Sequence, residues 1–241
     1  MAQLTSSRRE DNHVHSTFSD GKGTIAENVA AAEALGLVRL TCVDHVRADT
    51  TWAPEFVRAV READQETEIE LHCGLEAKLL DTEGNLDLPA DLGGADYVYA
   101  ADHQVPLASG PAHPREVKAA IESGEMEVLE VLEAIIAATS NAVARRDDVV
   151  IAHLFSVLPK IGLDEAQVPA ELVLGLAEAA ARNGARVEID ERWSCPSAAT
   201  LVPFQELEVP ILLSTDSHRP EAIGRYDYCL GVLGELELAP M

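Results

Sequence analysis

At 241 residues, with 47% apolar and 25% charged side chains, the chain is long enough for one sizeable core and has the composition of an ordinary globular protein, which excludes a disordered one. Eighteen basic residues against 42 acidic ones give a formal net charge of −24, which repels nucleic-acid backbones and anionic membranes and makes long nucleic acid an unfavourable partner. No run approaches the ~20 apolar residues that cross a bilayer, the first residues lack the apolar core of a secretory signal, and Cys42, Cys73, Cys195 and Cys229 form no C-x-x-C pair, so a cytoplasmic protein with reduced thiols is expected.

Short apolar runs at residues 12–15, 38–43, 69–75, 97–101, 149–153, 186–189 and 211–214 predict strands, with helical stretches between them. The first helix is announced by a capping box, Thr24 with Glu27. Its apolar face is Ile25, Val29, Ala32 and Leu35, and Gly36 stops it. Glu83-Gly84-Asn85 predicts a small hairpin over residues 81–87. Residues 125–144 and 168–183 predict two more helices, the first amphipathic because Glu130 and Glu133 interrupt its apolar run. There is no internal repeat and no linker rich in Pro, Gly or Ser, so one domain over residues 1–241 is expected, with a tail over about residues 1–10. The strand–helix alternation predicts a closed or nearly closed barrel rather than an open sheet. Such barrels carry their chemistry at the C-terminal ends of the strands.

The reactive residues collect where that rule puts them. His13 and His15 alternate across one residue of the first strand and share a face, and Asp20 follows in the next loop. Asp44-His45 closes the second strand, Glu76 the third, Asp102-His103 the fourth and His153 the fifth; Asp216 and His218 close the last. A single His at a strand end is ordinarily just a hydrogen-bonded polar residue, and a lone H-x-H is weak evidence. The repetition at successive strand ends is what carries the signal. His72, deeper in its strand, reads as structural, and His113, in Pro111-Ala112-His113-Pro114, as a solvated or substrate-edge residue. Imidazole and carboxylate donors together suit zinc, manganese or iron. Nine candidates exceed the four to six donors that one ion takes, which implies two or three divalent ions.

In this order, His13-Val14-His15-Ser16-Thr17-Phe18-Ser19-Asp20-Gly21, Val43-Asp44-His45, Gly74-Leu75-Glu76, Asp102-His103, Ala152-His153 and Ser214-Thr215-Asp216-Ser217-His218 resemble the motifs of the PHP family, named for its polymerase-associated and histidinol phosphatase members. The resemblance implies an α/β fold, a distorted (β/α)7 TIM-like barrel with up to three metals at its C-terminal mouth. By that resemblance His13, His15, Glu76 and Asp216 would hold the first ion. Glu76 would bridge to a second held by His103 and His153, and Asp20, His45 and His218 would hold a third. Many members have His where this chain has Asp20. Asp44 and Asp102 would orient imidazoles from behind rather than bind metal.

The implied activity is metal-dependent hydrolysis of a small phosphomonoester by a metal-activated water, with Glu76 in the cluster and Asp216 or His218 handling a proton. The D-x-D pair and C-x5-R loop of covalent phosphatases are absent, which agrees with a route lacking a phosphoenzyme. Arg192, beside Trp193, is the preferred phosphate-binding residue, with Lys160 and Arg219 as further candidates in loops after predicted strands. Alternative readings are a phosphodiesterase or 5′–3′ exonuclease on short nucleotides or nucleoside bisphosphates, an amidohydrolase-type C–N hydrolase, and a metal-binding module without catalysis.

Overall fold

The computed structural model describes residues 9–237, so residues 1–8 of the expected tail lie outside the described residues. Arg9 already belongs to the fold, its carbonyl accepting the Val38 N–H at 2.6 Å. Strand β1 (Glu10–Val14) follows at once and pairs in parallel with β2 (Arg39–Val46), β2 with β3 (Glu70–Lys78), and β3 with β4 (Tyr97–Ala101). After a two-stranded ribbon of β5 (Val105–Leu107) and β6 (Gly110–Ala112), the sheet continues through β7 (Val149–Ala152), β8 (Arg186–Asp190) and β9 (Ile211–Ser214). The end of the sheet returns to its start: the His15 N–H donates to the Ser217 carbonyl at 2.8 Å, and the Ser217 N–H to the His13 carbonyl at 3.2 Å. These bonds draw the seven-stranded sheet into a nearly closed barrel, the (β/α)7 form expected.

Strands β2 and β3 run three residues past the ends of their apolar runs. Their ladder continues through Asp44 opposite Leu75, His45 opposite Glu76 and Val46 opposite Ala77. His45 and Glu76 are thus strand residues rather than loop residues, which holds both more firmly. A bulge in β1, between the pairs Asp11–Leu40 and Val14–Cys42, inserts one extra residue just before the mouth.

Helix α1 (Ile25–Ala34) has the expected capping box, with both reciprocal bonds made between Thr24 and Glu27. Helices α4 (Val128–Arg145) and α5 (Ala170–Asn183) lie in the stretches the sequence marks. Four more complete the outer layer: α2 (Ala53–Asp64), α3 (Pro114–Ser123), α6 (Ala198–Glu206) and α7 (Tyr228–Glu235). The turn at residues 81–87 is present, with the Leu80 N–H on the Asn85 carbonyl at 2.8 Å and Gly84 at φ +77. The antiparallel bridge of Leu79 to Leu86 and the Asp87 N–H on the Lys78 carbonyl at 3.0 Å join its two arms into a minimal hairpin.

The outer helices bury their apolar faces against the strands in two large clusters. The lumen is closed below the mouth by Val43, Tyr99, Ala101, Val150, Ala152 and Leu212. Tyr99 fills so much of this layer that a Cβ at position 74 would stand 2.5 Å from its ring, which accounts for Gly74 in β3. Its hydroxyl donates to the Asn12 carbonyl at 2.5 Å, and its ring meets His13 edge-on at 4.9 Å between centroids. An apolar plug thus forms the floor on which the polar mouth rests.

Candidate metal centre

Above the plug, the barrel mouth gathers side chains from β1, β2, β3, β8 and the loops after β1, β4, β7 and β9. Glu76 is at the middle, almost wholly buried. Its Oε1 lies 2.9 Å from His103 Nε2 and 2.9 Å from His153 Nε2; its Oε2 lies 2.7 Å from His45 Nδ1 and 3.5 Å from the Nε2 atoms of both His13 and His15. His15 Nε2 is also 3.0 Å from Asp216 Oδ1. On the outer side, Asp20 Oδ1 approaches His218 Nε2 at 3.1 Å, His45 Nε2 at 3.6 Å and His15 Nδ1 at 3.9 Å. All nine residues expected as ligands therefore share one mouth, while His72 stays near Glu70 and Asp96 at the other end of β3, and His113 caps α3 through its Nδ1.

The arrangement is held from behind. Asp44 accepts the Ser16 N–H at 3.1 Å, the Ser16 hydroxyl at 2.6 Å, the Ser19 N–H at 3.2 Å and the Ser19 hydroxyl, so it pins the loop that carries Asp20. It stands 4.0 Å from His15 Nδ1, too far to orient that ring directly. Asp102 accepts the Ser156 hydroxyl at 2.6 Å and lies 3.4 Å from His153 Nδ1, the backing position expected for it. Asp11, at the base of β1, accepts the Thr215 N–H and hydroxyl and thereby fixes the approach to Asp216. His153 and Asp216 both adopt positive φ, 28° and 46°, a conformation costly for residues with a Cβ and one that gathers at functional sites.

Two acids the sequence reading passed over complete the set. Glu188 and Asp190 alternate on β8 as His13 and His15 do on β1, and both are fully buried facing the lumen. Glu188 lies 3.2 and 3.3 Å from His13 Nδ1 and accepts the His153 N–H at 2.7 Å, so one carboxylate braces two expected ligands. Asp190 accepts the Trp193 N–H at 2.8 Å, and the Trp193 indole N–H reaches Asp216 Oδ2 at 2.7 Å. The available signal was an E-x-D pair alternating with Val187 and Ile189 in β8.

The electrostatics call for cations. Burial pushes the Glu76 carboxyl up, yet the imidazoles of His103 and His45 hold it well below the usual carboxylate range. Burial pushes His13 down, but Glu188 and Glu76 raise it well above an ordinary histidine. His15 is lowered to about 4, by burial first and by the charge of His13, against the opposing pull of Asp216. Among the described residues, His15 Nδ1, Glu76 Oε2, His153 Nδ1 and Asp216 Oδ1 are buried with polar neighbours at ion-pair distance but without an aligned hydrogen bond, an expensive state for such atoms. Donor atoms of His13, His15 and Asp216, of His45, Glu76 and His103, and of His15, Asp20, His45 and His218 each fall within 4.8 Å of one another. Bonds of about 2.0–2.2 Å to one ion require spans of this size, so the donor set fits divalent metals.

A cavity of about 820 Å³ opens onto this cluster, lined among others by Phe18, Arg47, Trp52, Lys78, Arg192 and Trp193. Arg192 sits at the edge of the ligands, its Nη1 2.5 and 3.0 Å from the ring nitrogens of His218 and 3.5 Å from Asp216 Oδ2. Lys160 stands beside it, with its ammonium 3.9 Å from the centre of the Trp193 ring. Arg219 is not brought to the mouth. The turn after Ser217 carries it to a separate depression lined by Lys22, Glu27 and Glu221, with its carbonyl held by the Ser217 hydroxyl at 2.6 Å.

A nearly closed α/β barrel with a His, Asp and Glu cluster of metal-ligand spacing at its mouth is the class that the fold and site define. The sequence model of the PHP domain matches residues 11–192, most of the chain, and the chain belongs to the PHP family. In three dimensions it is similar to a histidinol phosphate phosphatase from Lactococcus lactis subsp. lactis solved with zinc, L-histidinol and phosphate. The TM-score is 0.68 at 18% identity, covering 96% of this chain and 95% of that one. Fainter likenesses, too slight to bear on function, are to a chain of an archaeal ribonuclease P bound to mature tRNA (TM-score 0.45, 12% identity, 90% and 77% covered) and to N-isopropylammelide isopropylaminohydrolase from Burkholderia multivorans (TM-score 0.47, 13% identity, 88% and 56% covered). No curated protein matches the chain. No helix among the described residues is long and apolar enough to cross a membrane.

Proposed function

We propose that this chain is a metal-dependent phosphatase that hydrolyses a small phosphomonoester. The observation that carries this reading is Glu76, a buried carboxylate touched by five imidazoles, with two oxygens facing two different groups of donors. His13, His15, Glu76 and Asp216 would hold one divalent ion, Glu76 with His103 and His153 a second, and Asp20, His45 and His218 a third. Zinc, manganese or iron suits such mixed donors. When bound, the ions would neutralise phosphoryl oxygens and make water acidic enough to serve at neutral pH.

The chain's own residues supply the rest. Arg192 offers a guanidinium beside His218 and Asp216, where it would draw the phosphoryl group against the ligand cluster. Trp193 holds Asp216 through its indole N–H and walls that side from solvent. His218, half-buried at the rim, would face the third ion with Nε2, on the Asp20 side, and keep Nδ1, 3.4 Å from Asp216, to pass the proton given up by the attacking water to the leaving alkoxide. We read the whole chain as one barrel domain, since strands from Glu10 to Ser214 share one sheet. The four buried, unpaired cysteines support a reducing, cytoplasmic compartment.

The test is metal analysis of the purified protein, followed by phosphomonoesters and phosphodiesters with and without added manganese. Phosphate release from monoesters is the expected result, and cleavage confined to diesters would overturn the reading in favour of a phosphodiesterase. Replacing Glu76 with alanine (Glu76→Ala) should abolish turnover and lower metal content together; full metal content in the variant would refute the bridging role.

A further inference from the structure

Beside the cavity at the metal centre, and sharing His103 and Gln104 with it as a common wall, lies a recess of about 390 Å³ lined also by His113, Pro114, Arg115 and Lys160. Three separate segments build it: the loop after β4, the first turn of α3, and the 3-10 turn Leu158–Ile161 after β7. Two cations and two imidazoles line it, and no carboxylate does, in a chain where acids outnumber bases 42 to 18. Such a local reversal of charge is the notable feature. Neighbouring cations repel one another, so bringing them together from separate segments is unfavourable unless an anion is shared among them.

The donors are also free to act. Lys160 is half-buried, extended over Trp193, and has no carboxylate at ion-pair distance among the described residues. His113 spends Nδ1 on the Arg115 backbone N–H at 3.2 Å, which leaves Nε2 for another partner. The Arg115 side chain is exposed and makes no ion pair among the described residues. By contrast Arg39, Arg61 and Arg146 each sit against an acid at 2.5 to 2.7 Å.

We propose that this recess is a subsite for a second anionic group of the substrate, so that the ester taken at the metal centre is a doubly anionic metabolite. One end, the scissile phosphate, would meet the ligand cluster and Arg192. The other, a second phosphate or a carboxylate, would lie among Lys160, Arg115 and His113. The inference rests on the phosphatase reading for its first half, and on the recess alone for its second.

The experiment compares propyl phosphate with its carboxylate-terminated and phosphate-terminated analogues as substrates of the manganese-loaded enzyme. In parallel, calorimetry measures binding of propylphosphonate and propylene bisphosphonate, which are not hydrolysed. The doubly anionic members should be preferred by about tenfold or more in kcat/KM and in affinity, the equivalent of one charge-assisted hydrogen bond. Which terminal group is preferred identifies the anion. Arg115→Ala and Lys160→Met, each checked for an unchanged melting temperature, should collapse that preference. Equal treatment of singly and doubly anionic ligands by the wild type, or equal weakening of both by the variants, would overturn the proposal. If no ester is hydrolysed, the phosphatase reading falls, while the phosphonate pair still decides the recess.

Discussion

Glu188 offers a direct measure of how far the mouth depends on residues behind the ligands. Its carboxylate is fully buried, takes the His153 N–H at 2.7 Å and lies 3.2 Å from His13 Nδ1. When His13 gives Nε2 to a metal, Nδ1 must carry the proton, and Glu188 accepts it. Glu188→Gln keeps the shape but leaves one oxygen for two donors. Turned either way, its amide NH2 faces an N–H, at His13 or at His153. A charge-assisted hydrogen bond is lost, about 1.5–3 kcal/mol, and partners of metal-bound histidines typically control 10–100-fold in metal affinity. The expected result is a manganese or zinc affinity about tenfold or more weaker, read by competition with a chromophoric chelator, with an unchanged far-UV spectrum. Unchanged affinity in a folded variant would refute the reasoning. His13 would then be held by the strand alone.

Three further outcomes follow from the geometry. Arg192→Ala should raise KM for a phosphomonoester about tenfold while metal content stays constant, because the guanidinium stands beside the ligands without being one; an unchanged KM removes it from the phosphate site. Gly74→Ala drives a Cβ to 2.5 Å from the Tyr99 ring and should cost about 1–3 kcal/mol in denaturant unfolding, whereas a neutral change would mean the lumen plug is loosely packed. At Asp96, burial pushes the carboxyl up, but His72, Arg61 at 2.5 Å and the Cys73 N–H hold it well below the ordinary aspartate value of 3.8. A depressed carboxyl stabilises the fold above 3.8 and loses that contribution as the pH falls below it. Asp96→Asn should therefore be less stable than wild type by about 1–3 kcal/mol at neutral pH, and the gap should narrow in acid; a gap independent of pH would contradict the assignment.

The sequence by itself determined the barrel and the nine side chains expected to meet at its mouth, because both rest on local spacing. A strand's side chains alternate with a period of two, so His13 and His15 had to share a face, and apolar runs of strand length had to form the wall. The capping box at Thr24 and Glu27 likewise involves residues three apart. Local rules did not reach α2, α3, α6 and α7: α2 and α7 have no side-chain cap, α3 is a short helix opened by His113 and Pro114, and α6 carries Pro203 inside it. The extent of β2 and β3 also escaped them, because it depends on pairing across strands rather than on the apolar run of either one.

Tertiary structure decided everything that depends on which strands become neighbours. Glu188 is separated from His13 by 175 residues and meets it only because barrel closure leaves β9 alone between β8 and β1. Arg219, near the last ligands in sequence, is carried away by a single turn, while Lys160 is brought to the rim over Trp193. Chain order shows which side chains end the strands. Only barrel closure shows which carboxylate braces them and which cations can reach the substrate, because those contacts join elements whose separation along the chain says nothing of their distance in space.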